Sequence, residues 1–183
     1  MSRVNDVSLP SYGSQAPSKN RRIKGTGLTT IAASLGDRVR PATIACDLQM
    51  TYAGNIKMKT ASKILELAPD VSKHLFNSDK AFVGFSGNTS AWGAAVAWFL
   101  DPSSKMPNLR NGVELLALTS NKDILHSITM ATWLPIKEKY YSIGSGMPFA
   151  ISALALGKTP KEAVLFASKR DVYTGMGTKE YML

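Results

Sequence analysis

Four stretches, far apart in a chain of 183 residues, carry the side chains that could do chemistry. The first is Thr29-Thr30-Ile31-Ala32. The second is Ile44-Ala45-Cys46-Asp47-Leu48-Gln49-Met50-Thr51, with Lys63 sixteen residues beyond Asp47. The third is Val83-Gly84-Phe85-Ser86-Gly87-Asn88-Thr89. The fourth is Ile143-Gly144-Ser145-Gly146, followed later by Arg170-Asp171-Val172-Tyr173-Thr174-Gly175. A threonine or serine hydroxyl is a poor nucleophile and needs a base beside it. The two histidines, His74 and His126, are isolated and have no triad partner in the sequence. With the single Cys46 they form no metal-ligand spacing.

Taken singly, each stretch has an ordinary reading. Thr29 and Thr30 are β-branched residues suited to a strand. Asp47 and Lys63 can form an ion pair worth about 0–1 kcal/mol at a surface. Ser145 between two glycines can fill a tight turn, and Asp171 can serve a turn or a helix cap. Cys46, Trp92 and Trp98 read as core residues.

The elements that would position these side chains start at Thr29. Thr30–Leu35 and Ala42–Cys46 are short apolar runs separated by Gly36-Asp37, which predicts a hairpin. A turn follows at Ala53-Gly54-Asn55, then a short strand or loop at Lys63–Leu67 and a strand at Ala81–Phe85. Ser90–Leu100 is apolar nearly all round and stops at Asp101-Pro102, which predicts a helix buried on most faces. Strands are expected at Val113–Leu118, Ile124–Thr129 and Tyr140–Ile143. A helix over Pro148–Leu156 ends at Gly157. Thr159-Pro160-Lys161-Glu162 then opens another, with Thr159 at the N-cap, Pro160 at N1 and Glu162 closing a capping box. A last strand is expected from near Asp171. Helices grouped between runs of hairpin strands predict an α+β domain, with antiparallel sheets sandwiched by helices.

Residues 1–28 differ from the rest. They are rich in Ser, Pro, Gly, Asn and Gln, poor in core-formers, and carry five basic side chains against Asp6 alone. Such a segment cannot bury enough apolar area to order itself and reads as a disordered basic leader or propeptide. The formal net charge of +9 is otherwise scattered, without the aromatic interleaving of single-strand binders, so nucleic acid is not the expected partner. No apolar run is long enough to span a membrane, and residues 1–28 lack the apolar stretch expected of a secretory signal. A single cysteine fits a reducing, cytoplasmic setting.

In this order, and with the interval from Asp47 to Lys63, the four stretches together resemble the proteasome β-type and HslV (ClpQ) threonine peptidase family throughout residues 29–183. The resemblance implies a four-layer αββα sandwich with two antiparallel sheets, the N-terminal-nucleophile (Ntn) hydrolase fold. One outer helical layer would be reduced. Only Pro102–Asn111 lies where the family has a second long helix.

The resemblance also implies a threonine-type endopeptidase that needs no cofactor for its chemistry. An N-terminal threonine carries its own base, the α-amine, whose reference pKa is about 7.7–8.0. Thr29 would be the nucleophile once the leader is removed. Lys63 would lower the amine pKa, Asp47 would hold Lys63, and the Gly87 N–H would face the oxyanion. Ser145, Asp171 and Thr174 would support the amine. Backbone carbonyls of Ser168, Asp171 and Thr174 would be the places for a structural Na+ or Mg2+. Polypeptide substrates, a homo-oligomeric ring and an ATP-dependent unfoldase are the implied partners, with specificity set near Gln49, Thr51 and Gly84.

One departure stands out. Leu28 precedes Thr29 where self-processing relatives carry glycine. Two other readings stay open. One is an unprocessed, catalytically silent structural or assembly protein of this type, possible in a virus. The other is a different Ntn amidohydrolase acting on a small amide.

Overall fold

A computed structural model describes residues 28–52, 56–109 and 112–183. The leader expected over residues 1–28 lies outside them except for Leu28, and so does the turn at Ala53-Gly54-Asn55. In chain order the elements are β1 (Ile31–Ser34), β2 (Thr43–Asp47), β3 (Gln49–Tyr52), β4 (Ile56–Lys59), β5 (Ile64–Glu66), α1 (Pro69–Phe76), β6 (Ala81–Gly87) and α2 (Thr89–Leu100). They continue with β7 (Val113–Thr119), β8 (Ile124–Ser127), β9 (Leu134–Ile136), β10 (Tyr140–Ile143), α3 (Met147–Ala155), α4 (Pro160–Ala167) and β11 (Thr178–Met182). No described helix is long and apolar enough to cross a membrane.

The expected first hairpin forms, with Ile31 opposite Cys46 and Ser34 opposite Thr43. Gly36 takes φ +70 in its turn. Asp37 closes that turn by accepting the Val39 and Arg40 N–H groups and a two-pronged bond from the Arg40 guanidinium. Arg40 and these N–H groups hold the exposed Asp37 carboxyl down at about 2. Around the hairpin a four-stranded sheet has the order β10-β1-β2-β11. A second sheet has the order β5-β6-β7-β8-β9, and β3 pairs only with β4. Every strand pair is antiparallel.

The two-residue period of the strands sorts the core into faces. From β1 and β2, Ile31, Ala33, Ile44 and Cys46 point toward the second sheet and meet Phe82, Leu116, Leu118 and Ile124. Gly84 lets the sheets approach, since a methyl there would lie 2.8 Å from the Ile31 side chain. Ala32 and Ala45 point the other way, onto Ala150, Leu154, Ala163 and Val164 of α3 and α4. From β6, Val83 and Phe85 face away from the first sheet, onto Val71 of α1 and Ala95, Trp98 and Phe99 of α2. Burial seals Cys46 and raises its thiol pKa.

The Thr159–Glu162 capping box is present in full at the start of α4. Other expectations need correction. Helix α1 was not foreseen, although Pro69 at N1 and Asp70 in the first turn announce it. Helix α2 is not buried on most faces: Gly93, Ala94, Ala97 and Leu100 form an exposed stripe, with Leu100 at 72% exposure. Among described residues 101–109 no helix follows α2. Instead Leu109 plugs the core there, and the Ser104 carbonyl accepts the Trp98 indole N–H. The last strand starts at Thr178 rather than near Asp171, because residues 171–177 turn around the site described next.

Candidate active site

Thr29 sits just before β1, Asp47 ends β2, and Lys63 precedes β5. Hairpin pairing brings the first two together: the Asp47 N–H donates to the Thr30 carbonyl at 3.1 Å. Lys63 arrives from the second sheet. Its Nζ donates to Asp47 Oδ1 at 2.8 Å and to Thr29 Oγ1, while the Thr29 hydroxyl donates to Asp47 Oδ1. All three are nearly closed to water, at 2%, 0% and 4% exposure for Thr29, Asp47 and Lys63.

A buried ion pair is tolerated only when its remaining polar capacity is filled. Asp47 meets that condition. Oδ1 also accepts the Thr30 N–H at 2.9 Å, and Oδ2 accepts the N–H groups of Gln49 at 3.0 Å and Gly175 at 3.2 Å. Burial lowers the Lys63 pKa, and the Asp47 charge opposes that fall.

A second network flanks the first. Asp171 Oδ2 accepts from the Ser145 and Thr174 hydroxyls, both at 2.6 Å, and Thr174 Oγ1 lies 2.6 Å from Thr30 Oγ1. The Ser145 hydroxyl and the Gly146 N–H also approach the Thr29 carbonyl, at 3.3 and 3.4 Å. The two glycines of this loop are sterically required. A side chain at Gly144, which has φ +93, would overlap the Thr29 carbonyl, and one at Gly146 would overlap the Thr30 hydroxyl.

Thr29 opens onto a cavity of about 480 Å³. Gly87 lies on its wall with Lys63, and Leu28, Met50, Phe85 and Trp92 supply apolar surface. Gln49 and Thr51 line it as well, but Gln49 Nε2 is engaged by Thr51 Oγ1 and the Val172 carbonyl. Gly84 does not line it; it serves the contact between sheets.

The structure thus gathers Thr29, Asp47, Lys63, Ser145, Asp171 and Thr174, with Gly87 lining the same cavity as Thr29 and Lys63. Ser168 stands apart as the C-cap of α4, its hydroxyl bonded to Leu165 of its own helix. The Asp171 carbonyl accepts the Thr174 N–H at 3.1 Å and so faces into its own turn. Among the described residues no group of three His, Cys, Asp or Glu side chains could hold a metal ion.

Sequence reasoning gave no role to the Thr30 hydroxyl, the Gly175 N–H or Glu114, whose Oε2 accepts the Gly144 N–H at 3.2 Å. Glu114 did carry a signal: it is a charged residue inside the otherwise apolar run Val113–Leu118.

The sequence matches no described protein family and no curated protein. Solved structures do match the fold. Thiobacillus denitrificans BPH in complex with epoxomicin is similar at a TM-score of 0.61 and 14% identity, over 85% of this chain and 98% of that one. Eukaryotic HslV from Trypanosoma brucei is similar at a TM-score of 0.59 and 17% identity, over 84% and 98%. At such identities the likeness carries the fold alone: the chain has a proteasome/HslV-like fold of mixed helices and antiparallel sheets.

Proposed function

We propose that this chain is a threonine-type endopeptidase of the Ntn-hydrolase kind, with the αββα layering of that fold, and that Thr29 becomes its N-terminus when residues 1–28 are released. The single observation that carries this reading is the contact of Thr29 Oγ1 with Lys63 Nζ and Asp47 at the wall of a cavity.

In the chain as it stands the Thr29 nitrogen is an amide, and the hydroxyl donates its proton in a hydrogen bond to the Asp47 carboxylate. Release of the leader turns that amide into an amine. The Thr29 hydroxyl oxygen then attacks the scissile carbonyl carbon, and its proton passes to the amine. The Lys63 ammonium, held by Asp47, lowers the amine pKa and favours the developing negative charge. The Gly87 N–H receives the oxyanion, a contribution of about 2.7–4 kcal/mol where the donor is preorganised. Collapse of the adduct breaks the scissile C–N bond, and the leaving amine takes the proton that the Thr29 α-amine had accepted, so an ester remains on Thr29 and the α-amine is free again. Water hydrolyses the ester and restores the hydroxyl. No cofactor enters these steps.

The proposal includes assembly of copies of this chain into a ring. Protein substrates, an ATP-dependent unfoldase and a cytoplasmic setting belong to the same proposal.

Intact mass and N-terminal sequencing of the chain purified from its native source test it. The expected result is a mature chain beginning at Thr29 that cleaves peptides and is labelled there by a threonine-directed covalent inhibitor. A chain that keeps residues 1–28 and resists the inhibitor is the silent structural protein instead. Cleavage of small amides but not peptides assigns the amidohydrolase reading.

A further inference from the structure

We propose that Glu114 is a positioning residue for Thr29, acting across the gap between the two sheets; this rests on the reading of Thr29 as nucleophile. Thr29 needs its backbone fixed, because one residue supplies both the nucleophile and the base. Its carbonyl is gripped by the loop Gly144-Ser145-Gly146, yet the two bonds in that grip are long, 3.3 Å from the Ser145 hydroxyl and 3.4 Å from the Gly146 N–H. Bonds of that length are weak, and Asp171 steadies the middle of the loop through the Ser145 hydroxyl at 2.6 Å, which leaves the position of Gly144 to be set. The loop is pressed against Thr29, with Gly144 so close to the carbonyl that a methyl group would overlap it.

Glu114 supplies a second anchor, at the first glycine of the loop and from the other sheet. It belongs to β7 in the second sheet, directly across from Ser86 of β6. Its Oε2 accepts the Gly144 N–H at 3.2 Å, a charge-assisted bond to the first residue of the gripping loop. Ser86 packs against the same glycine, its Oγ lying 2.9 Å from where a Gly144 methyl would be. Glu114 therefore ties the second sheet to the loop that sets the Thr29 carbonyl, without touching Thr29 in any hydrogen bond. A partly buried glutamate in an otherwise apolar strand disfavours folding unless it is paired. That cost is consistent with a role at this site.

The test uses the mature wild-type chain, E114A and E114Q, with kcat and KM on one fluorogenic peptide, the rate of capture by a threonine-directed covalent inhibitor, and thermal unfolding. E114A should lower kcat and capture by roughly ten- to a hundredfold, with KM changed less than about twofold, as displacement of a reacting group does. E114Q keeps an oxygen acceptor and should recover most of the loss. Wild-type rates in E114A overturn the proposal. So does a loss in E114A that E114Q shares and that follows the fall in unfolding temperature, because that pattern is merely structural. A wild-type chain that is itself inert overturns the peptidase reading, and this proposal with it, before any variant is compared. If E114A does not fold, the kcat of E114Q against its unfolding temperature decides in the same way.

Discussion

Lys63 Nζ donates directly to Thr29 Oγ1 within a wall where both side chains are almost sealed from water. The ammonium reaches this position only because Asp47 accepts from it at 2.8 Å and from four other donors. Charge at Lys63 should therefore matter twice. Lys63→Met keeps the length of the side chain and removes the cation. Inhibitor capture at Thr29 should fall by about 10²–10³, the size of losing a preorganised electrostatic group. Stability should fall by about 3–5 kcal/mol, because Met, unlike a neutral amine, cannot donate to the buried Asp47 carboxylate or the Thr29 hydroxyl and leaves both short of a partner. Denaturant unfolding and timed capture measure the two effects on one sample. Capture at the wild-type rate would remove Lys63 from the mechanism.

The pH dependence follows from the same pair. Burial sets the Lys63 pKa below its ordinary value of 10.5. Activity needs the ammonium form, so the alkaline limb of the kcat profile should fall below that ordinary lysine value. The acidic limb should report the Thr29 amine, near or below about 7.7–8.0. Stability runs the other way. Between the lowered folded pKa and 10.5 the unfolded chain binds more protons at Lys63 than the folded chain does. The Lys63 contribution to stability therefore rises with pH across that window while activity is lost. Paired pH profiles of kcat and of urea unfolding separate the two. An alkaline limb at the ordinary lysine value would show that burial does not govern Lys63.

The parts of this fold that were legible in the sequence were those with local signals. The turn at Gly36-Asp37, the capping box at Thr159 and the short apolar run Ala81–Phe85 each depend on residues a few positions apart. What was missed depends on distant partners or on misleading composition. Pro135 argues against a strand, yet β9 tolerates it because it lies at the edge of its sheet, where a missing N–H costs little. Helix α2 looked buried from its composition, but only the face carrying Ala95, Trp98 and Phe99 has a sheet to meet. Val172–Gly175 looked like the start of a strand. Instead Gly175 turns its N–H onto Asp47, 128 residues away, and no local pattern reports that. The pairing of Thr29 with Lys63 was suggested by resemblance rather than by spacing, since two sheets must stack before they meet.

Steric demands at two glycines give predictions of opposite sign. A methyl at Gly146 would overlap the Thr30 hydroxyl and lie 3.0 Å from Thr174 Oγ1. Gly146→Ala should break the Thr30–Thr174 contact, cost about 1–3 kcal/mol as overpacking does, and slow capture at Thr29. A methyl at Gly93, on the exposed stripe of α2, meets nothing within 4 Å. Gly93→Ala should stabilise the chain by about 0.5–1 kcal/mol through helix propensity and leave capture unchanged. Thermal unfolding of the two variants gives the signs. A stabilising Gly146→Ala would mean that the loop around Thr29 is not tightly packed.

Asp171 holds two hydroxyls with one oxygen, so its neighbours should not act independently. Oδ2 accepts from Ser145 and from Thr174, both at 2.6 Å, and Thr174 in turn touches Thr30 beside the nucleophile. Removing one hydroxyl, by Ser145→Ala or Thr174→Val, takes away a bond to a charged acceptor worth about 1.5–3 kcal/mol. Removing the carboxylate by Asp171→Ala leaves both hydroxyls without that acceptor at once. The Ser145→Ala, Asp171→Ala cycle should therefore show a coupling of about 0.5–3 kcal/mol, because once Asp171 is absent the Ser145 hydroxyl has only its long bond to the Thr29 carbonyl left to lose. The cycle is measured both in unfolding free energy and in kcat. Coupling in stability alone would make the network a brace for the loop. Equal coupling in kcat would place it in the alignment of the terminal threonine. Strict additivity in both would show that the carboxylate does not join the two hydroxyls into one unit.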